Sequence, residues 1–122
     1  MALNLDLTEE QKLLRQAVGE FAEREIAPVA LELDETEEFS VELTRKMGEF
    51  GLFGCFVSGK YGDSDTGCIS YIIAVKELAR VDGSQAATIA TENSLGIGPI
   101  YYYGTDVPEP EGGAQLPCQR PE

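Results

Sequence analysis

The sequence predicts an all-α domain, a bundle of about five helices gathered around a central apolar one. Three observations predict it. Apolar residues recur at helical spacing along most of the chain, capping residues stand where those stretches begin, and Ser84 to Thr105 (SQAATIATENSLGIGPIYYYGT) contains an uncharged helical segment. Within it, Ala86 to Ala90 offers only small or branched side chains. At helical pitch such a segment has no polar side, so other elements are expected to cover it all round.

The first helix begins after Leu5-Asp6-Leu7. Thr8 is the N-cap, Gln11 stands three residues on as in a capping box, and Glu9 and Glu10 suit the positive end of the helix dipole. Leu14, Val18, Phe21 and Ala22 form its inward stripe, opposite Lys12, Arg15, Glu20 and Glu23. Pro28 is read as a break and as the first turn of a second helix, with Val29, Ala30 and Leu33 facing inward. The acidic run Asp34 to Glu38 reads as an exposed connection.

Ser40 caps a third helix whose inward face is Leu43, Met47 and Phe50 and whose C′ residue is Gly51. Leu52 to Gly67 is rich in Gly, Ser and Asp and reads as a loop anchored by Phe53, Phe56 and Tyr61, with a short strand around Phe53 to Val57 as the alternative. A fourth helix from about Gly67 to Arg80 is apolar over more than half its circumference, so it is expected to be largely internal. The next helix starts at Ser84, with Asp82 or Ser84 as its cap. Gly96, Gly98 and Pro99 are expected to interrupt it before a short helix over Ile100 to Tyr103. Residues 106–122 carry Pro108, Pro110, Pro117, Pro121, Gly112 and Gly113 with little to bury, so a flexible tail is expected after a domain of residues 1–105.

Composition excludes several functions. A length of 122 residues with 43% hydrophobic residues suits one globular domain. The net charge of -13 opposes nucleic acid and anionic lipid. Histidine is absent, which removes Ser-His-Asp and Cys-His nucleophile pairs and the His ligands of most zinc sites. Cys55, Cys68 and Cys118 have no metal-ligand spacing and read as reduced thiols, so no metal site is expected. No secretory signal or membrane span is legible, and a cytoplasmic protein is expected, with a processed organellar one as the alternative.

Taken together, LTEEQKLLRQAVGEFAEREIAPVA (Leu7 to Ala30), MGEFGLFG (Met47 to Gly54), KELARVDGS (Lys76 to Ser84) and NSLGIGPIYYYGT (Asn93 to Thr105) resemble the N-terminal helical domain of the acyl-CoA dehydrogenases. The resemblance covers roughly Leu3 to Thr105; the family's usual YGG reads Tyr61-Gly62-Asp63 here. It implies an enzyme that uses FAD to remove hydrogens from the α and β carbons of an acyl-CoA thioester and passes electrons to an electron-transferring flavoprotein. It also implies that this domain supplies one wall of the acyl pocket. Carried over through the NSLG motif, the wall residues are Ala87, Thr88, Thr91, Glu92 and Leu95.

Small residues and Thr methyls can border a fatty chain, although the same residues could simply pack on neighbouring helices. Glu92 follows a long uncharged segment, where burial would raise a carboxyl pKa. With no flavin site or acid-base partner beside it, Glu92 is read as a solvent-facing or hydrogen-bonded residue, and no catalytic residue is assigned. Asn93 and Ser94 are read as turning or capping the break at Gly96.

The family's flavin-binding β-domain and its base-carrying C-terminal helical domain have no counterpart in this sequence, and the family's next helix is replaced by DVPEPEGGAQLPCQRPE. A shifted reading frame or an altered transcript would produce that replacement. The chain is therefore expected to be inactive alone and not to hold FAD alone. The alternative function is a free-standing helical interaction module that self-associates through exposed apolar faces.

Overall fold

The computed structural model describes residues 6–57 and 67–104. Every regular element among them is helical: α1 (Glu9–Phe21), a π turn (Ala22–Ile26), α2 (Ala27–Thr36), α3 (Val41–Glu49), α4 (Gly67–Val81), α5 (Gly83–Thr91), a second π turn (Glu92–Ile97) and α6 (Gly98–Tyr103). The expected all-α bundle is what forms. The Pro/Gly-rich tail and Tyr61 lie outside the described residues.

The caps follow the residues. Thr8 accepts from the Gln11 N–H at 3.2 Å while the Gln11 side chain accepts from the Thr8 N–H at 3.0 Å, which closes the capping box. Ser40 accepts from the Leu43 N–H at 3.1 Å and starts α3. Asp82 accepts from the Ser84 N–H at 2.8 Å and starts α5. Gly51, at φ 84, takes the left-handed conformation that ends α3.

Neither expected break is a break. Helix runs without interruption from Glu9 to Thr36 and again from Gly83 to Tyr103, because each proline follows a π turn. A π turn inserts one extra residue, so the backbone bonds i to i−5: the Ala27 N–H donates to the Ala22 carbonyl, and the Gly98 N–H to the Asn93 carbonyl. The wider turn admits the Pro28 and Pro99 rings in the first turn of α2 and α6. At Gly98 a Cβ would stand 3.2 Å from the Asn93 carbonyl oxygen, so glycine fits the close approach rather than marking a stop. The acidic run likewise starts inside a helix; α2 continues to Thr36, and Glu37 ends it at φ 55.

The core lies where α1, α4 and α5 meet. Val18, Phe21, Ala22, Ile26, Met47, Leu78 and Ile89 are buried there, with Leu52 closing one side. Phe21 also packs against Phe50 with the rings tilted by 39° and their centroids 5.0 Å apart. Two helices are less covered than expected. α4 buries Ser70, Ile73, Ala74 and Leu78 but leaves Ile69 and Ile72 each 55% exposed. α5 buries Gln85, Ala86 and Ile89, whereas Ala87 and Thr91 face outward. An apolar circumference states what a helix can bury; the neighbours present decide how much of it is buried.

Across the first π turn, Glu25 is fixed to α3: Lys46 Nζ donates to its carboxylate at 2.9 Å, and Arg24 at 2.9 Å from the other oxygen. The Lys46 bond first, then the Arg24 bond, lowers the Glu25 pKa from its ordinary 4.5. A depressed folded-state pKa contributes stability above the unfolded value and loses it as pH falls through the folded one. Glu25→Gln is therefore expected to flatten the loss of stability below about pH 4.5, read from urea midpoints across the acid range. Leu78→Ala, at a site with 0% exposure, should cost about 2–5 kcal/mol. Leu13→Ala, at 66% exposure, should stay within about 0.5 kcal/mol in the same urea titrations.

Candidate functional site

The outward side of α5 and its π turn forms a groove of about 640 Å³ lined by Ser84, Ala87, Thr88, Thr91, Glu92, Leu95 and Gly96. All five wall residues read from the sequence are in it: Ala87, Thr88, Thr91, Glu92 and Leu95. Spacing brings them together, since positions three and four apart share a helical face. Ala87 leaves the floor open, and the Thr88 hydroxyl donates to the Ser84 carbonyl at 3.1 Å, which keeps it from demanding a partner in the groove. Leu95 stands 72% exposed at one end, and the half-buried Glu92 puts a single carboxylate among neutral residues. The surface is shallow, predominantly apolar and open along its length.

Behind the groove is a residue whose role the sequence did not disclose. Asn93, read as a turn or cap residue, does neither; it is wholly buried inside the second π turn. Its Nδ2 donates to the Leu52 carbonyl and to the Ile89 carbonyl, both at 3.0 Å, and its Oδ1 accepts from the Cys55 N–H at 3.1 Å. Those partners lie 41 and 38 residues away in one case each, so the amide ties the segment after α3 to the groove helix. The residues beside it, Thr91, Glu92 and Ser94, are polar, so nothing local in the sequence marks its burial. Beside it, the Ala90 carbonyl accepts from the Tyr71 hydroxyl at 3.2 Å and from the Ser94 hydroxyl, which joins α4 to the same turn.

A larger cleft of about 840 Å³ lies between α1 and α4, with Arg15, Glu20, Glu23, Arg24, Glu77 and Arg80 among its walls. Arg80 bridges Glu23 at 2.8 Å and Glu77 at 3.4 Å there. Size notwithstanding, a wall of interleaved opposite charges suits neither an alkyl chain nor a pyrophosphate. Among the described residues no cluster of three or more His, Cys, Asp or Glu could hold a metal ion, and no helix is long and apolar enough to cross a membrane.

Fold and groove define a small helical domain that carries one exposed apolar wall. Residues 8–114 match the acyl-CoA dehydrogenase N-terminal domain, and the chain belongs to that family. It is 43% identical over 104 residues to a probable acyl-CoA dehydrogenase of Bacillus subtilis and, to the same degree, to a short-chain specific acyl-CoA dehydrogenase of Clostridium acetobutylicum. Each match covers 85% of this chain and 27% of the relative, so the chain spans about a quarter of the length of these curated relatives.

Solved structures agree. A chain from the structure of the electron transferring flavoprotein of Acidaminococcus fermentans superposes with a TM-score of 0.81 at 37% identity, over 84% of this chain and 27% of the other. Butyryl-CoA dehydrogenase from Megasphaera elsdenii superposes with a TM-score of 0.77 at 32% identity, over 84% and 28% respectively.

Asn93→Ala would strand the Cys55 N–H and remove two donors from buried carbonyls. A loss of about 2–4 kcal/mol is expected, because each unsatisfied buried group costs about 1–3 kcal/mol. Urea unfolding measures it, and amide hydrogen exchange should show Cys55 losing protection with the mutation.

Proposed function

We propose that this chain provides one wall of the acyl-chain pocket of an FAD-dependent acyl-CoA dehydrogenase, the enzyme class that removes hydrogens from the α and β carbons of acyl-CoA thioesters. One observation carries the reading: Ala87, Thr88, Thr91, Glu92 and Leu95 line a single apolar groove. An alkyl chain laid along it would lose contact with water, at roughly 0.8 kcal/mol per buried methylene, against the neutral side chains of Ala87, Thr88, Thr91 and Leu95. Similarity to enzymes described as acting on butyryl-CoA and short-chain acyl-CoA supports the substrate class. Similarity to a chain in an electron transferring flavoprotein structure supports an electron-transferring flavoprotein as the redox partner.

The groove does not fit FAD by itself. It presents no cation for the pyrophosphate, and the arginines between α1 and α4 are interleaved with glutamates. Nor does it pair a base with an acceptor for the second hydrogen. The chain is therefore read as a wall and not as a reacting centre, inactive when alone, in a cytoplasmic protein whose flavin is held by other elements.

A second reading rests on exposed apolar residues. Leu95 is 72% and Tyr103 82% exposed, so the chain could self-associate as a non-catalytic interaction module. Size-exclusion chromatography with flavin absorbance separates the two. A colourless oligomer whose thermal midpoint ignores both FAD and acyl-CoA would favour the module.

For the wall itself, residues 8–104 can replace the matching segment of the Clostridium acetobutylicum enzyme. In that chimera Ala87→Phe is expected to raise KM for long acyl-CoA thioesters at least about tenfold more than for short ones, since a filled floor excludes chain length first. Equal effects at all chain lengths would remove Ala87 from the pocket.

A further inference from the structure

We propose that Cys55 and Cys68 form an oxidation site, two thiols that close to an intramolecular disulfide when met by a low-molecular-weight disulfide such as glutathione disulfide. Neither is joined in a disulfide. The fold draws the two positions together. The Gly67 N–H donates to the Cys55 carbonyl at 3.2 Å, so Cys68 directly follows a residue in backbone contact with Cys55. Phe56, the residue after Cys55, meets Tyr71 edge-on with ring centroids 6.4 Å apart. Tyr71 stands three residues beyond Cys68 on α4, on the same helical face. The two contacts, at Gly67 and Tyr71, flank Cys68 and come from Cys55 itself and the residue after it. Both thiols also act on the Tyr71 hydroxyl, whose pKa is raised first by burial and then by Cys55 and Cys68.

The two sulfurs differ in access, which sets their order of reaction. Cys68 is exposed in the first turn of α4, whereas Cys55 is buried, its Sγ donating to the Leu52 carbonyl at 3.1 Å. The Cys68 thiolate attacks one sulfur of glutathione disulfide; that S–S bond breaks, a mixed disulfide forms on Cys68, and one glutathione thiolate leaves and takes up a proton. The Cys55 thiolate then attacks the Cys68 sulfur, and the second glutathione leaves in the same way. Two protein thiols are oxidised and one glutathione disulfide is reduced to two thiols. Because the Cys55 N–H is already held by Asn93, the new bond would join the start of α4 to the buried amide behind the groove. The site is independent of any acyl-pocket role.

A Cys118→Ser chain keeps only these two thiols and can be treated with glutathione disulfide. Mass spectrometry should show a loss of about 2 Da, with one cross-linked peptide pair containing Cys55 and Cys68. Closure in the native chain should be at least about tenfold faster than in the same chain unfolded in urea, as expected for sulfurs held together by the fold. The unaltered chain should give the same cross-linked pair. A persistent glutathione adduct, a covalent dimer, a link to Cys118 in its place, or equal rates in urea would each overturn the proposal.

Discussion

The buried amide of Asn93 is the interaction on which the rest of the structure depends. An amide taken out of water must regain its hydrogen bonds from protein, and Asn93 finds partners on three different residues, Leu52, Cys55 and Ile89. Two of these belong to the segment after α3, which has no regular structure of its own between Leu52 and Val57. The amide therefore substitutes for a ladder. It holds that segment against the groove helix and keeps Leu52 and Val57 in the interior.

The second π turn explains how Asn93 can reach inward while its neighbours look outward. An extra residue in the turn changes the helical phase, so Asn93 and Ile97 are buried while Leu95 stays on the open side with Ala87 and Thr91. Just before the turn, in α5, the Ala90 carbonyl accepts from the Tyr71 hydroxyl. A local irregularity thus sets which side chains face the groove and ties that face to α4. The groove's apolar character follows from the neutral side chains of α5, and its openness from the lack of a neighbouring element over it among the described residues.

Charge has a smaller part. The chain carries -13, yet its ion pairs are mostly exposed, and exposed pairs contribute about 0–1 kcal/mol each. The Glu25–Lys46 bridge is better placed, since it joins the first π turn to α3 and both side chains are partly covered. Even so, the domain coheres through Val18, Met47, Leu78 and Ile89, all at 0% exposure. Most of the acidic side chains among the described residues are exposed, where water screens them.

Local chemistry was legible in the residues alone. Thr8, Ser40 and Asp82 announce helix starts because a side-chain oxygen beside unpaired N–H groups has one favourable use, and Gly51 announces an end because only a flexible residue takes that backbone cheaply. Periodicity likewise identified Val18, Met47 and Leu78 as core, and the NSLG motif led to five residues that share a groove. What the sequence could not decide depended on partners far along the chain. Pro28 and Pro99 look like breaks until a π turn makes room for them, and the circumference of α4 and α5 does not reveal which sides go uncovered. Asn93 reads as a turn residue until the tertiary structure supplies Leu52 and Cys55, because a hydrogen bond across some forty positions leaves no local pattern to read.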